Sequence, residues 1–84
     1  MSQDDVFDTI ASCIRTTFRQ SDLIVTRATT ADDVDGWDSL AHATLMFRIE
    51  KKLNVRIPRE IASAFDSVGS LADAVCQLKG IPVR

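Results

Sequence analysis

Apolar residues recur at the spacing of an α-helix in three long segments of this chain, and no segment alternates apolar and polar residues as a strand would. The spacing predicts long helices over residues 3–19, 39–53 and 68–79, and a short helix over residues 59–65. Because each apolar stripe must be covered by another element, the chain is predicted to be an all-α, four-helix bundle.

The chain length limits what such a bundle can contain. The sequence has 84 residues, and we predict a single domain spanning 1–84. A domain of this size buries only roughly 60% of the surface that its unfolded chain exposes, which leaves little room for a deep catalytic pocket. Residues 20–37 form a long loop between the first two helices, and we expect its apolar residues to pack on the bundle. These residues are Leu23, Ile24, Val25 and Val34.

Residues that favour helix ends flank the predicted helices. Ser2, Ser67, and either Asp38 or Ser39 can cap the first turns, and Gly80 can end the last helix. The predicted buried stripe of that last helix comprises Val68, Leu71, Ala72, Val75 and Leu78.

The charges of the chain are unevenly distributed. Residues 1–38 contain eight acids and three bases, whereas residues 39–84 contain four acids and seven bases, for a net charge of −2. The basic half has neither interleaved aromatic residues nor a long run of Lys and Arg, so no nucleic-acid partner is expected. The asymmetry is better suited to setting how the protein docks on other proteins.

Targeting and metal-binding signals are missing from the sequence. Its N-terminal residues are acidic, unlike a signal or transit peptide, and no apolar run is long enough for a membrane span. We therefore expect a cytoplasmic protein without a membrane partner. Cys13 and Cys76 are then expected to be reduced, buried thiols. With one His and no Cys-x-x-Cys spacing, no metal site is expected.

The second predicted helix carries two apolar stripes. The first suits a core and comprises His42, Leu45, Met46, Ile49 and Leu53. The second comprises Leu40, Ala43 and Phe47, and lies roughly 100–160° away around the helix. A small bundle covers only one face of a helix, so we expect the second stripe to be partly exposed as a partner surface. The alternative is that the loop 20–37 folds over it.

Asp38 and Ser39 stand where this helix begins. Both residue types are good N-caps, and such a pair is most often only a cap. The free backbone N–H groups and the positive dipole end of a helix would also stabilise a phosphate attached to Ser39. The Asp38 carboxylate could help an incoming enzyme hold a cation, or it could simply cap.

Two neighbours of this pair allow further readings. Trp37 could guide a partner, although packing of its ring between the loop and the bundle is favoured. Ser39, His42 and Asp38 could be imagined as a hydrolase triad. Asp38 adjoins Ser39 instead of orienting His42, and no Gly-x-Ser-x-Gly elbow is present, which argues against it. Packing or simple exposure is the favoured role of His42.

The segment Gly36-Trp37-Asp38-Ser39-Leu40, with Ile57-Pro58 after the helix, resembles the acyl carrier proteins and the related peptidyl carrier domains. The resemblance extends over nearly the whole chain. It implies a 4′-phosphopantetheine arm attached to Ser39, transferred from coenzyme A by a phosphopantetheinyl transferase. It also implies that the arm carries acyl or aminoacyl groups as thioesters, and that the protein itself is not an enzyme.

The second helix departs from the pattern of fatty-acid carriers, in which this helix is rich in acids. Only Glu50 is acidic here. We therefore predict a specialised carrier with dedicated enzymes that load and transfer its acyl or aminoacyl cargo in a lipid, polyketide-like or other specialised biosynthetic pathway. The resemblance implies that it works as a monomer. The predicted partner-binding residues are Leu40, Ala43, Phe47, Arg48 and Lys51. The alternative is an unmodified helical interaction module with the carrier fold.

Overall fold

Four α-helices form the domain in a computed structural model that describes residues 1–83. They are α1 (Gln3–Thr17), α2 (Ser39–Leu53), α3 (Arg59–Ala64) and α4 (Val68–Lys79), with a 3₁₀ turn at Ala31–Asp33. Residues 1–83 form no strand. The prediction of an all-α bundle with three longer helices, one short helix and a long first loop is confirmed.

The ends of two helices differ from the prediction. The first helix ends at Thr17 instead of residue 19, because Arg19 adopts a left-handed conformation with φ of 54° that cannot continue a helix. Helix α3 ends at Ala64 because Phe65 is extended. The bounds predicted for α2 and α4 are confirmed.

Serine side chains cap the N-termini of α1 and α4, as predicted. Ser2 Oγ accepts a hydrogen bond from the Asp5 N–H at 3.2 Å, and Asp5 Oδ2 accepts one from the Ser2 N–H at 2.9 Å. The hydrogen bond from the Ser2 backbone lowers the pKa of Asp5. Ser67 Oγ caps α4 by accepting from the Ser70 N–H at 3.3 Å. These bonds satisfy donors that have no partner inside a helix.

The core lies around α1, which packs closely against both α2 and α4, while α3 contacts α4. The largest side chains that are fully buried come from these three long helices. They are Val6, Ile10, Ile14, Leu45, Ile49, Val68, Leu71, Val75 and Cys76. Cys13 is also buried, and both cysteines are free thiols as predicted. Leu78 is 38% exposed, so its predicted place in the buried stripe is wrong; Cys76 lies on that face instead.

The long first loop is fastened to the beginning of α4. The Val68 N–H donates to the Thr29 carbonyl at 2.8 Å, and the Gly69 N–H donates to the Arg27 carbonyl at 2.9 Å. Loop carbonyls thus accept from the N–H groups that a helix start leaves unpaired. Val25 and Val34 in this loop are buried as predicted.

One loop residue contradicts the packing prediction. Ile24 is 81% exposed, and its neighbour Val25 is the residue of this segment that enters the core. Within residues 1–83, no helix combines the length and the apolar character needed to cross a bilayer.

Candidate functional site

Ser39 is the first residue of α2 and is exposed. Asp38 is the N-cap, and its Oδ1 accepts a hydrogen bond from the Ala41 N–H at 2.8 Å. The capping role of Asp38 is therefore confirmed. Within residues 1–83, no hydrogen bond engages the Ser39 hydroxyl or the backbone N–H groups of Ser39 and Leu40. The hydroxyl is thus free for modification beside two unpaired backbone donors.

A turn at Gly36 immediately precedes the start of α2. Gly36 has a φ of 87°, and its carbonyl accepts a hydrogen bond from the Asp38 N–H at 2.9 Å. Residues other than glycine rarely adopt such a φ. Gly36 therefore reverses the loop so that Asp38 reaches the cap position in an extended conformation.

Four rings pack together close to the start of α2 and are called the aromatic cluster below. They belong to Phe18, Trp37, His42 and Phe65. The Trp37 ring centroid lies 5.2 Å from that of Phe18 and 6.0 Å from that of Phe65, and the His42 and Phe65 rings stack at 5.5 Å. The cluster joins the end of α1, the loop, α2 and the end of α3. The favoured reading of Trp37, a ring packed between loop and bundle, is confirmed.

His42 is held by both of its ring nitrogens. Trp37 Nε1–H donates to His42 Nδ1 at 3.1 Å, and His42 Nε2 lies 2.7 Å from the Ala62 carbonyl oxygen. Because Nδ1 accepts, the proton is assigned to Nε2, which donates to Ala62. Neither nitrogen is free to take a proton from Ser39, so the hydrolase triad is excluded in this arrangement.

An open depression adjoins Ser39. It has a volume of about 660 Å³ and lies between the loop, the start of α2 and the end of α3. Trp37 and Phe65 line it together with polar side chains, which are Thr30, Asp32, Ser63 and Asp66. It is a surface feature and not a closed, water-free pocket. Residues 1–83 contain no group of three or more His, Cys, Asp or Glu side chains placed to bind a metal ion.

The second stripe of α2 is exposed. Leu40 is 78% exposed and Phe47 is 58% exposed, and Ala43 between them is also exposed. The alternative in which the loop covers this stripe is therefore wrong. Arg48 and Lys51 are exposed beside it, and Lys51 Nζ lies 5.4 Å from the centre of the Phe47 ring.

The one acid of α2, Glu50, is only partly exposed. Glu50 Oε2 accepts a hydrogen bond at 2.8 Å from the backbone N–H of Ile57, in the turn that follows the helix. The carboxylate is thus engaged within the protein. Arg48 and Lys51 are exposed beside the stripe, whereas Glu50 is only partly exposed.

Sequence reasoning did not place Phe18, Phe65 and Ala62 at this site. Phe18 follows α1 and Phe65 follows α3, and only the folded chain brings them to Trp37 and His42. For Phe18 and Phe65, the aromatic side chain itself could have indicated packing, because large aromatic residues contribute strongly to cores and contacts between elements.

A comparison with solved structures places this architecture in a known class. The solution NMR structure of a holo acyl carrier protein from Geobacter metallireducens is similar, with a TM-score of 0.80 and 29% sequence identity. The match covers 89% of this chain and 86% of that chain. No family model and no curated protein matches the sequence.

The four helices and their connections thus define a small carrier protein and not an enzyme. The fold is that of the acyl carrier proteins, and the likeness supports a general role as an acyl carrier.

Proposed function

We propose that this protein carries acyl or aminoacyl groups as thioesters on a 4′-phosphopantetheine arm attached to Ser39. The observation that carries the proposal is the exposed Ser39 hydroxyl, free of hydrogen bonds, at the first residue of a 15-residue helix. The carrier fold and the Asp-Ser-Leu sequence at this helix start support it. The arm would supply the thiol that holds the cargo, as a cofactor supplies chemistry to its host.

The residues around Ser39 fit the arm. Its phosphodiester would lie at the N-terminus of α2, where the free N–H groups of Ser39 and Leu40 and the helix dipole favour negative charge. In the attachment step the Ser39 hydroxyl would give up its proton and its oxygen would form the new P–O bond. The pyrophosphate bond of coenzyme A would break, and adenosine 3′,5′-bisphosphate would leave. Asp38 uses only Oδ1 for the cap, so Oδ2 remains available to a cation brought by the transferase.

The test is the intact mass of the protein after incubation with coenzyme A, Mg²⁺ and a broad-specificity phosphopantetheinyl transferase. We expect wild type to gain the mass of one phosphopantetheine and Ser39→Ala to gain none. Ser63→Ala, which removes another exposed hydroxyl beside the depression, is the matched control and should be modified like wild type. A folded wild-type protein that several transferases leave unmodified would instead support an unmodified interaction module.

We further propose that the exposed stripe of α2, formed by Leu40, Ala43 and Phe47, is the partner-binding surface. Arg48 and Lys51 form its basic rim, where charge sets partner choice more than affinity. The partners would be the transferase and the enzymes that load and remove the cargo. This basic rim favours a specialised carrier with dedicated enzymes. We also propose that the protein is a cytoplasmic monomer.

Leu40→Ala is expected to lower the kcat/KM of Ser39 modification by roughly 10-fold, because an exposed apolar anchor next to the reacting hydroxyl is lost. The measurement is the initial rate of modification under subsaturating conditions. Ile24→Ala removes an aliphatic side chain that is 81% exposed, compared with 78% for Leu40, and should leave the rate unchanged. Equal rates for both variants would contradict a role of the stripe in docking the transferase.

A further inference from the structure

We infer that this carrier keeps its cargo outside the bundle and is suited to short or polar acyl groups instead of long aliphatic chains. The inference rests on the proposed attachment of the arm to Ser39. It concerns the aromatic cluster, which stands between the depression beside Ser39 and the hydrophobic core.

An aliphatic chain attached near Ser39 would enter any accessible apolar interior, because every methylene removed from water favours burial. At the depression beside Ser39, the start of α2 faces the end of α3. His42 closes this gap, since its Nε2 donates to the Ala62 carbonyl at 2.7 Å and its ring stacks on Phe65 with an angle of 14° between the planes. At this contact a chain can pass between the helices only if His42 leaves Ala62, and the depression farther along them, between Met46 and Arg59, is open to water.

Moving His42 would disturb more than one contact. Its Nδ1 also accepts the Trp37 indole N–H at 3.1 Å, so displacement would leave the indole donor, the imidazole and the Ala62 carbonyl without their partners. Partly buried polar groups that lose a partner and are not reached by water destabilise the open state. An alkyl chain offers no hydrogen bond in exchange.

The core behind the cluster is also filled. Leu45 and Ile49 on α2 and Leu71 on α4 are fully buried. Close-packed side chains resist insertion of extra methylenes, because the insertion forces neighbouring side chains out of their preferred rotamers. The aromatic cluster and the core thus both oppose entry.

The depression beside Ser39 offers the cargo a different environment. Its volume of about 660 Å³ is open to water, and polar residues such as Thr30, Asp32, Ser63 and Asp66 line it together with Trp37 and Phe65. A short or polar acyl group can lie there with its polar atoms solvated. A long alkyl chain would gain little burial there, because the depression is open to water along its length.

The experiment loads Ser39 directly from acetyl-, butyryl-, hexanoyl- and octanoyl-coenzyme A with a broad-specificity transferase. Intact mass verifies loading, and the thermal midpoint and the indole N–H resonance are then compared across the series. Trp37 is the one tryptophan of the chain, so this resonance reports directly on its bond to His42. We expect the midpoint to vary by less than about 2 °C and the indole resonance to stay in place.

A midpoint that rises by roughly 10 °C or more from acetyl to octanoyl would overturn the inference, because burial of the added methylenes would cause a rise of this order. A moving indole resonance would place the chain at the aromatic cluster, and a stationary one would place it elsewhere in the protein. Failure to load any group on Ser39 would contradict the proposed function instead, so the two failures are distinguishable.

The His42→Leu variant tests the cause. Leu is similar in size to His but cannot bond Ala62 or Trp37, so the polar barrier is removed while the apolar packing is largely kept. In this variant the octanoyl form is expected to gain thermal stability over the acetyl form. If His42→Leu does not fold, the wild-type series alone still decides the inference.

Discussion

In the unmodified protein, Cys13 and Cys76 are expected to react with a disulfide reagent such as DTNB at least ~10³-fold more slowly than a free thiol. Cys13 is 4% exposed and Cys76 is fully buried, so the reagent must wait for the helices to open. Opening free energies near the global stability, about 5 kcal/mol or more, correspond to factors of this size. After modification of Ser39, one fast thiol per chain is expected, because the arm would end in an exposed thiol.

Burial also acts on these thiols through their acidity. It raises the pKa of the Cys13 thiol, which Lys52 and Arg48 partly offset. Burial raises the pKa of the Cys76 thiol as well, and Asp73 raises it further while Arg27 lowers it. A higher pKa means less thiolate, which is the reactive form. Because the folded pKa values lie above the unfolded ones, their contribution to stability is complete at neutral pH and is lost as the pH rises through the alkaline range.

The measurement counts thiols by rate, before and after treatment with the transferase. Native protein should show no fast thiol before treatment and one afterwards, whereas protein in concentrated guanidinium chloride should show the two cysteines plus any arm. Native Ser39→Ala protein should show no fast thiol, either before or after treatment with the transferase. A fast thiol in the untreated native protein would mean that α1 or α4 opens far more readily than its burial indicates.

The regular parts of this fold could be predicted because their causes are local. The start of α2 follows from the capping side chain of Asp38, and the exposed stripe follows from the angular spacing of Leu40 and Phe47 around the helix. The end of α1 could not be predicted in the same way. Arg19 adopts the left-handed conformation that glycine usually adopts after a helix, so the sequence has no glycine there to indicate the helix end.

The finer structure of the site depends on contacts between distant segments. His42 was grouped with the core stripe by its spacing, but its bonds to Trp37 and Ala62 require α3 to be in place. Glu50 was noted only as the one acid of the second helix, yet its carboxylate accepts a hydrogen bond from the Ile57 N–H after the chain turns back. Such pairings carry no periodic signal, because each depends on the path of a loop instead of the face of a helix.

The Gly69→Leu variant is expected to lose roughly 3 kcal/mol or more of stability, a large part of the total for a small domain. A β-carbon at Gly69 would lie 2.8 Å from the Arg27 carbonyl oxygen and 2.9 Å from Arg27 Cβ. The oxygen belongs to the backbone and accepts the Gly69 N–H, so the loop can relieve the clash only by leaving α4. That movement would also strain the adjacent bond from Val68 to Thr29, and the gain in helix propensity, about 1 kcal/mol at most, is smaller.

Urea unfolding followed by helical circular dichroism and Trp37 fluorescence measures this loss. Gly80→Leu is the matched control, because no atom lies within 4 Å of the added β-carbon and only its φ of 74° opposes the change, at about 1–2 kcal/mol. Equal losses in the two variants would show that the contact between loop and helix contributes little. A larger loss at Gly69, together with slower modification of Ser39, would link the fastening of the loop to the site. The link is physical, because the fastened loop continues through Gly36 and Trp37 to the cap of α2.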